Sequence, residues 1–395
     1  MIVRPRIRGF ICTTAHPTGC VTSVREQIAR TTPFEGPKRA LVVGGSGGYG
    51  LASRIVVAFG GGADTLGVSL EKAPRKTKTG TAGWYNNLAF ETAASGRGLY
   101  ATTLNGDAFS DDMKAKTIDQ IRASLGTIDL FVYSLASPVR QHPRTGVLHR
   151  SVIKPLGEPF HVKSLNQDTG KVLEVSLDPA TDAETAATVA VMGGEDWEFW
   201  IDALEDAGVL AQGFKTVSYT YIGSELTWPI YWQATLGKAK EDLDRAAQAI
   251  RDRVAAIGGD ARVAVLKAVV TQASSAIPVV PLYLALLFRV MKDAGNHEDC
   301  LAHIDRLLRT ALYSETPPHF DDAGRIRVDD WELSEPVQTE VSRRWPIVTT
   351  DNVAELADLH GIRSDFLKIF GFGIDNVDYE AEEDPTNGQV DTQTS

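Results

Sequence analysis

Between residues 218 and 240 the chain reads SYTYIGSELTWPIYWQATLGKAK, which sets Tyr221 and Tyr231 ahead of Lys238 and Lys240. A tyrosine hydroxyl near a lysine ammonium can stabilise and protonate an enolate oxygen, as a carbonyl- or enoyl-reducing site requires. The cation lowers the phenol's pKa and can also hold a nicotinamide ribose. Tyr231 is followed by Lys238 after six intervening residues and by Lys240 after eight. Seven helical steps of roughly 100° nearly complete two turns and would favour Lys238. Pro229 and Gly237, however, place Tyr231 before the regular helix, so spacing leaves both lysines open. Taken singly, each aromatic residue here is as natural in a core as in a site.

Hydride chemistry needs a carrier, and residues 40–60 read as a place for one. ALVVGGSGGYGLASRIVVAFG is an apolar strand, a turn with five glycines, and a helix. Gly45, Gly47 and Gly50 satisfy GxGxxG, and Gly44, Gly48 and Gly50 satisfy GxxxGxG. Either pattern permits a tight turn and close approach of the backbone to a pyrophosphate at the positive end of a helix. Glu71 follows about 20 residues later at a predicted strand end, where it would bind the adenosine ribose and repel a 2′-phosphate, favouring NADH over NADPH. Lys72, Arg75, Lys76 and Lys78 come next, and could hold such a phosphate or form a solvated loop. Gly44 to Gly48 also fits GxSxG, which makes Ser46 a rival nucleophile of the hydrolase type. That reading needs an acid and a histidine after later strands, and the eight histidines lie mostly in polar loops or on helix surfaces.

These groups call for an α/β fold, a doubly wound parallel sheet of enlarged Rossmann type with an inserted β-hairpin and extra helices. The predicted strands are 40–44, 65–70, 100–104, 128–134, 215–221 and 263–270, with helices over 50–59, 85–94, 111–125 and 237–257 between them. A hairpin of 160–165 and 172–177 falls in an insertion of about 140–211 beside the site. After Pro281 the pattern turns helical, over 282–294, 298–312 and somewhere in 351–370. Residues 1–379 read as a single domain, and 380–395 as a disordered acidic tail.

Composition removes several function classes. The chain has 395 residues, 43% hydrophobic, with 40 basic against 51 acidic side chains and a net charge of −11. Such a field argues against nucleic acid. Cys12, Cys20 and Cys300 form no CxxC pair, which fits a reducing cytoplasm and no disulfide framework. The N-terminus lacks the apolar stretch of a signal peptide. The charge-free run 268–288 contains Pro278 and Pro281, which would break a membrane span. His297, Cys300 and His303 drift around a helix without a fourth ligand, so no metal is expected. Arg140, His142, Arg144, His149, Arg150 and Lys154 form a modestly basic loop. The apolar stretch 277–288 reads equally as an acyl wall or as core. A monomer or weak homo-oligomer is expected.

The stretches RPRIRGFICTTAHPTGC, GYGLASRI, GTAGWYNN, NGDAFSD, DLFVYSLASPVR, TYIGSELTWPIYWQATLGKAKEDL and VTQASSAIPVVPLY resemble the trans-2-enoyl-CoA reductase family, which includes the FabV-type enoyl-ACP reductases. The resemblance spans nearly the whole chain. It implies NADH-dependent reduction of an enoyl thioester of acyl carrier protein or coenzyme A, with a Tyr-x8-Lys pair that Tyr231 and Lys240 match. Tyr231 would be the proton donor, Tyr221 would hydrogen-bond the thioester carbonyl, and Lys240 would hold the cofactor. The pyrophosphate cradle would be Gly44, Gly45, Ser46, Gly47, Gly48 and Tyr49, with Leu70 and Glu71 at the adenosine end and Asp107 and Ala108 at the adenine. Leu135 and Ala136 would line the nicotinamide side, and Val269, Val270 and Thr271 would close over it. Asp107 alone would serve equally in a turn or as a helix N-cap. The turn GGSGGYG departs from the family's frequent GASTGYG without removing a side chain the chemistry needs. Rival readings are a ketoreductase on acyl thioesters, a serine hydrolase using Ser46, and a non-catalytic NADH-binding module.

Overall fold

The computed structural model describes residues 1–386 apart from 9, 10, 168, 273, 275 and 276. A short hairpin of β1 (Ile7–Arg8) and β2 (Ile11–Cys12) precedes helix α1 (Pro17–Ala29). The first half of the sheet follows as β3 (Arg39–Val43), α2 (Gly48–Ile55), β4 (Asp64–Ser69), α3 (Ala82–Ser95), β5 (Ala101–Asn105), α4 (Asp111–Ser124) and β6 (Ile128–Tyr133). Two small ladders, β7 (Val139–Gln141) with β8 (Leu148–Arg150) and β9 (Phe160–Asn166) with β10 (Lys171–Leu177), lead to α5 (Asp182–Met192) and α6 (Glu195–Asp206). The second half is β11 (Leu210–Thr220), α7 (Thr235–Val254), β12 (Asp260–Val265), α8 (Val280–Asp293), α9 (Cys300–Leu307), β13 (Ile326–Arg327) and α10 (Glu335–Arg344).

Seven strands form one parallel sheet in the order β13-β12-β11-β6-β3-β4-β5. The order reverses between β3 and β6, the switch point at which open α/β sheets leave a crevice beyond their strand ends. Both faces are covered, which is why β3 and β6 carry the apolar runs ALVV and LFVY. Val42 of β3 faces a core shared with α2 and α9, while Leu41 and Val43 face one shared with α6 and α7.

Three sequence expectations shift, and one reading left open, that of 277–288, is decided. α6 lies within the stretch predicted as insertion but is the crossover from β6 to β11: Trp197 and Trp200 are fully buried, and their indole N–H groups donate to Thr216 Oγ1 (2.9 Å) and the Ala108 carbonyl (3.1 Å). β12 stops at Val265, so residues 266–271 leave the sheet as a loop rather than continuing the strand. The stretch 277–288 falls largely in α8, whose residues Val280 to Phe288 are all buried, so it is core on every face rather than one wall of a pocket. Among the described residues no helix is long and apolar enough to cross a membrane. The predicted acidic tail is docked through its first residues: the Tyr85 hydroxyl donates to the Pro385 carbonyl (3.0 Å), and Met1 and Glu383 exchange backbone hydrogen bonds. Residues 387–395 lie outside the described residues.

Candidate active site

Backbone geometry selects one of the two glycine patterns. Gly44 and Gly48 adopt φ +83° and +52°, a region closed to most side chains. A Cβ on Gly44 would sit 1.9 Å from the Ser134 carbonyl oxygen, and one on Gly50 would sit 2.1 Å from that of Gly44. These contacts clamp the turn against the end of β6 and the helix against the turn, so the structure requires GxxxGxG. A Cβ on Gly47 would meet nothing within 4 Å. That open side faces past the N-terminus of α2, which has no side-chain cap, and it suits a pyrophosphate. The Tyr49 side chain points away from the turn, its hydroxyl donating to the Lys267 carbonyl (2.8 Å) and tying α2 to the loop after β12, while its backbone stays in the turn.

Glu71, expected from the sequence at the adenosine end, follows β4 with both carboxylate oxygens anchored, Oε1 by the Ser46 hydroxyl at 2.6 Å and Oε2 by the Thr81 hydroxyl. Ser46 therefore donates to a carboxylate and not to a histidine, which leaves the hydrolase reading without a base. Beside Glu71, Leu70 is 72% exposed and offers an apolar edge. Asp107 forms a turn: its Oδ1 accepts from the Phe109 amide (3.0 Å), while Ser110 caps α4. Ala108 is buried, and its carbonyl accepts from Trp200 and Lys114. Leu135 and Ala136 leave β6 directly beyond Ser134, next to the glycine turn. Thr271 packs over the same turn, its Cγ2 lying 3.5 Å from where a Gly48 Cβ would be, and a Ser274 hydroxyl donating to the Val269 carbonyl (2.8 Å) shapes residues 269–271.

Tyr221 is the first residue beyond β11. The chain then turns at Gly223 (φ +74°), passes through a 3₁₀ turn over Trp228–Ile230 and delivers Tyr231, whose carbonyl accepts from the Gly237 amide (2.9 Å). The Tyr221 and Tyr231 rings meet edge to face with centroids 4.9 Å apart. Burial pushes the Tyr231 hydroxyl above its ordinary pKa, and it makes no hydrogen bond to a described residue. The lysines left open by spacing now differ. Lys238 is 46% exposed and paired with Glu241 at 2.8 Å, a surface contact. Lys240 is half-buried, has no hydrogen bond or ion pair to a described residue, and is brought down to about 8 by burial, with the Asp244 carboxylate one turn on pulling the other way.

Sequence reasoning missed one feature of this region. Glu332, 0% exposed, accepts from the Tyr221 hydroxyl (2.9 Å) and the Tyr283 hydroxyl (2.8 Å) through Oε1, and from the Ala268 amide (2.6 Å) through Oε2. It comes from the polar segment between β13 and α10, where nothing in the sequence marks a buried acid. Other candidates dissolve into structure. His303 commits Nδ1 to Glu298 (2.9 Å) and accepts the Lys267 amide at Nε2 (3.2 Å), and among the described residues no cluster of three potential metal ligands is formed. In the basic loop, Arg140 is buried against Glu195 (2.8 Å) and Lys154 pairs with Glu184 (2.6 Å).

A sequence profile for the trans-2-enoyl-CoA reductase catalytic region matches residues 78–313, and one for the NAD(P)H binding domain of trans-2-enoyl-CoA reductase matches residues 2–76. A third, for an enoyl reductase FAD binding domain, matches residues 320–382. Its described residues contain no strand, glycine turn and helix unit that would hold a flavin pyrophosphate, so that label does not describe a site here. The chain is 57% identical over 389 residues to an enoyl-acyl-carrier-protein reductase (NADH) of Burkholderia pseudomallei strain 668, covering 98% of each chain. It is 56% identical to the corresponding FabV enzyme of Aeromonas salmonicida strain A449, with the same coverage. The solved structure of Treponema denticola trans-2-enoyl-CoA reductase with NAD superposes with TM-score 0.94 at 49% identity, covering 97% of this chain and 98% of that one. That of the Clostridium acetobutulicum enzyme with NADH gives 0.95 at 41%, covering 98% of each. Identity above one half along virtually the full length, together with a profile spanning the middle of the fold, places this chain in the trans-2-enoyl-CoA reductase family with the FabV enoyl-acyl-carrier-protein reductases.

Proposed function

We propose that the protein reduces the trans-2 double bond of enoyl thioesters with NADH, acting in the cytoplasm as a single domain over residues 1–379 and as a monomer or weak homo-oligomer. The relatives' names favour acyl carrier protein as the thioester's carrier, and coenzyme A would present the same thioester. The observation that carries the reading is the packed Tyr221–Tyr231 pair, with an uncommitted Tyr231 hydroxyl, preceding a helix that bears an unpaired half-buried lysine.

Bound NADH supplies a hydride to the β-carbon of the substrate. Gly44 to Tyr49 turn the backbone so that the first N–H groups of α2 meet the pyrophosphate, while Glu71 accepts from the adenosine ribose and Leu70, Asp107 and Ala108 border the adenine. Leu135, Ala136 and Val269 to Thr271 wall the nicotinamide side and exclude water. Tyr221 holds the thioester carbonyl. As electron density moves onto that oxygen an enolate forms; Tyr231 gives it the proton that ends on the α-carbon, completing the saturated thioester, and a solvent proton restores the phenol afterwards. Burial alone disfavours the resulting phenolate, so the positive charge of Lys240 is needed to stabilise it as well as to hold the cofactor.

The test is NADH oxidation by the purified protein with crotonyl-CoA, followed by loss of NADH absorbance. Tyr231→Phe is expected to lower kcat by about 10²–10⁴-fold, the range for loss of a positioned proton donor, while the NADH Kd stays within about twofold. No oxidation by the wild-type protein with any enoyl thioester would turn the reading to a ketoreductase or a binding module.

A further inference from the structure

Glu332 occupies a position that the chemistry above does not explain. It is fully buried, yet it lies far in sequence from each group it touches: Tyr221 beyond β11, Ala268 beyond β12, and Tyr283 in α8. Tyr221 is the residue that the proposed reaction sets on the thioester carbonyl, and Ala268 directly precedes the residues proposed to close over the nicotinamide. One carboxyl group therefore fastens the substrate side of the site to the cofactor side. Gln338 completes the arrangement, its amide nitrogen donating to the Tyr283 hydroxyl (3.1 Å) and to the Glu332 carbonyl (2.7 Å).

The bond pattern is demanding. Oε1 receives two hydroxyls and Oε2 one amide, so the side chain must reach three donors at once, and a buried acceptor left without its partners would be strongly unfavourable. Two substitutions separate reach from the carboxyl group. Glutamine keeps the length: its carbonyl oxygen can accept from Ala268 while its amide nitrogen donates to the two tyrosine oxygens. Aspartate keeps the carboxyl but is one methylene short, and cannot serve Ala268 and Tyr221 together.

We propose that Glu332 is the positioning residue for Tyr221, holding its hydroxyl at a fixed place relative to the cofactor-lining loop. The inference rests on Tyr221 meeting the thioester carbonyl; because the phenol has one proton, that proton turns to the carbonyl in the substrate complex and Glu332, whose carboxyl is held protonated by burial, donates from Oε1 to the tyrosine oxygen instead. Because the effect runs through geometry, reach matters more than the carboxyl itself. Because it runs through Tyr221, it vanishes when that hydroxyl is absent.

The experiment measures kcat, KM and NADH Kd with crotonyl-CoA for Glu332→Gln, Glu332→Asp, Tyr221→Phe and the Glu332→Asp/Tyr221→Phe double variant, with thermal melts to confirm folding. Tyr221→Phe is expected to lower kcat/KM by about 10²-fold, the low end for loss of a donor at a developing oxyanion. Glu332→Gln should cost about threefold and Glu332→Asp about thirtyfold, with NADH Kd within about twofold, and Glu332→Asp should cost no more than about twofold in the Tyr221→Phe background. A larger loss for glutamine than for aspartate, or a full thirtyfold loss in both backgrounds, would overturn the positioning role while leaving Tyr221 in place. An unaffected Tyr221→Phe would instead remove Tyr221 from the carbonyl, and the role of Glu332 with it. Should the aspartate variant not fold, a loss of tenfold or more in Glu332→Gln would be enough to reject the proposal.

Discussion

Replacing Lys240 by methionine should make the protein more stable and less active. The side chain ends in an ammonium that has no hydrogen bond or ion pair to a described residue, and burial lowers its pKa from the ordinary 10.5 to about 8. That gap corresponds to about 3 kcal/mol by which the fold disfavours the charged form. Lys240 is only half-buried, so screening by water reduces the figure to about 1–2 kcal/mol. The folded pKa lies below the unfolded one, so between about pH 8 and pH 10.5 the unfolded chain binds more protons and stability rises with pH. Below that window the penalty is present in full. Methionine matches the length of the lysine stem and carries no charge, so the variant should melt a few degrees higher at pH 7 in the absence of cofactor. Its advantage should shrink near pH 10, where the wild-type amine is largely neutral. The assay is thermal unfolding of both proteins at the two pH values, beside NADH oxidation, which should fall sharply in the variant. A variant less stable at pH 7, or an advantage equal at both pH values, would refute the desolvation argument.

Two further substitutions probe the cofactor end. Gly50→Ala puts a Cβ 2.1 Å from the Gly44 carbonyl oxygen, so α2 must shift from the turn; we expect about 1–3 kcal/mol of destabilisation and a rise of at least about tenfold in NADH Kd by fluorescence titration. A Kd within about twofold of wild type would mean that this turn does not hold the pyrophosphate. Glu71→Ala removes the carboxylate anchored by Ser46 and Thr81 beside four exposed cationic residues, and should shift the NADPH-to-NADH ratio of kcat/KM upward by about tenfold or more. An unchanged ratio would assign cofactor discrimination elsewhere.

Much of this architecture can be read from the letters, for physical reasons that also mark where reading fails. Strands β3 and β6 are buried on both faces and carry the apolar runs ALVV and LFVY, which need no partner to be recognised, while β4, DTLGVS, is buried with a threonine, a glycine and a serine among its residues. β13 is two residues long and ends on an arginine, so no periodicity announces it. α6 did carry a signal: Trp197, Trp200, Ile201 and Leu204 stand at i, i+3, i+4 and i+7, the stripe of a helix covering a sheet. In the site, the letters fit two glycine patterns equally, and only φ at Gly44 and Gly48 decides between them. The choice between Lys238 and Lys240 was undecidable because Tyr231 ends a 3₁₀ turn, which removes the helical phase that would have related it to either. Glu332 shows no pattern because its partners come from three other parts of the chain.

The contrast among the withdrawn lysines says why Lys240 is the one to associate with a ligand. Lys114 is fully buried, but its ammonium meets Asp196 at 2.8 Å and backbone carbonyls besides. Lys267 is equally buried and donates to the carbonyls of Ala268 (2.9 Å) and Glu298 (3.3 Å). Each is a structural cation whose desolvation is offset within the protein. Lys240 has no hydrogen bond or ion pair among the described residues, only the field of Asp244 one turn along the same helix. That carboxylate is bound instead by Arg325 at 3.1 Å. The arginine thus takes one oxygen of the carboxylate, whose field still reaches Lys240, and the ammonium's three donors remain available to whatever enters the cleft. A fold under no functional demand would be expected to lose so unfavourable a group, whereas a site that must grip a ribose and steady a phenolate requires it.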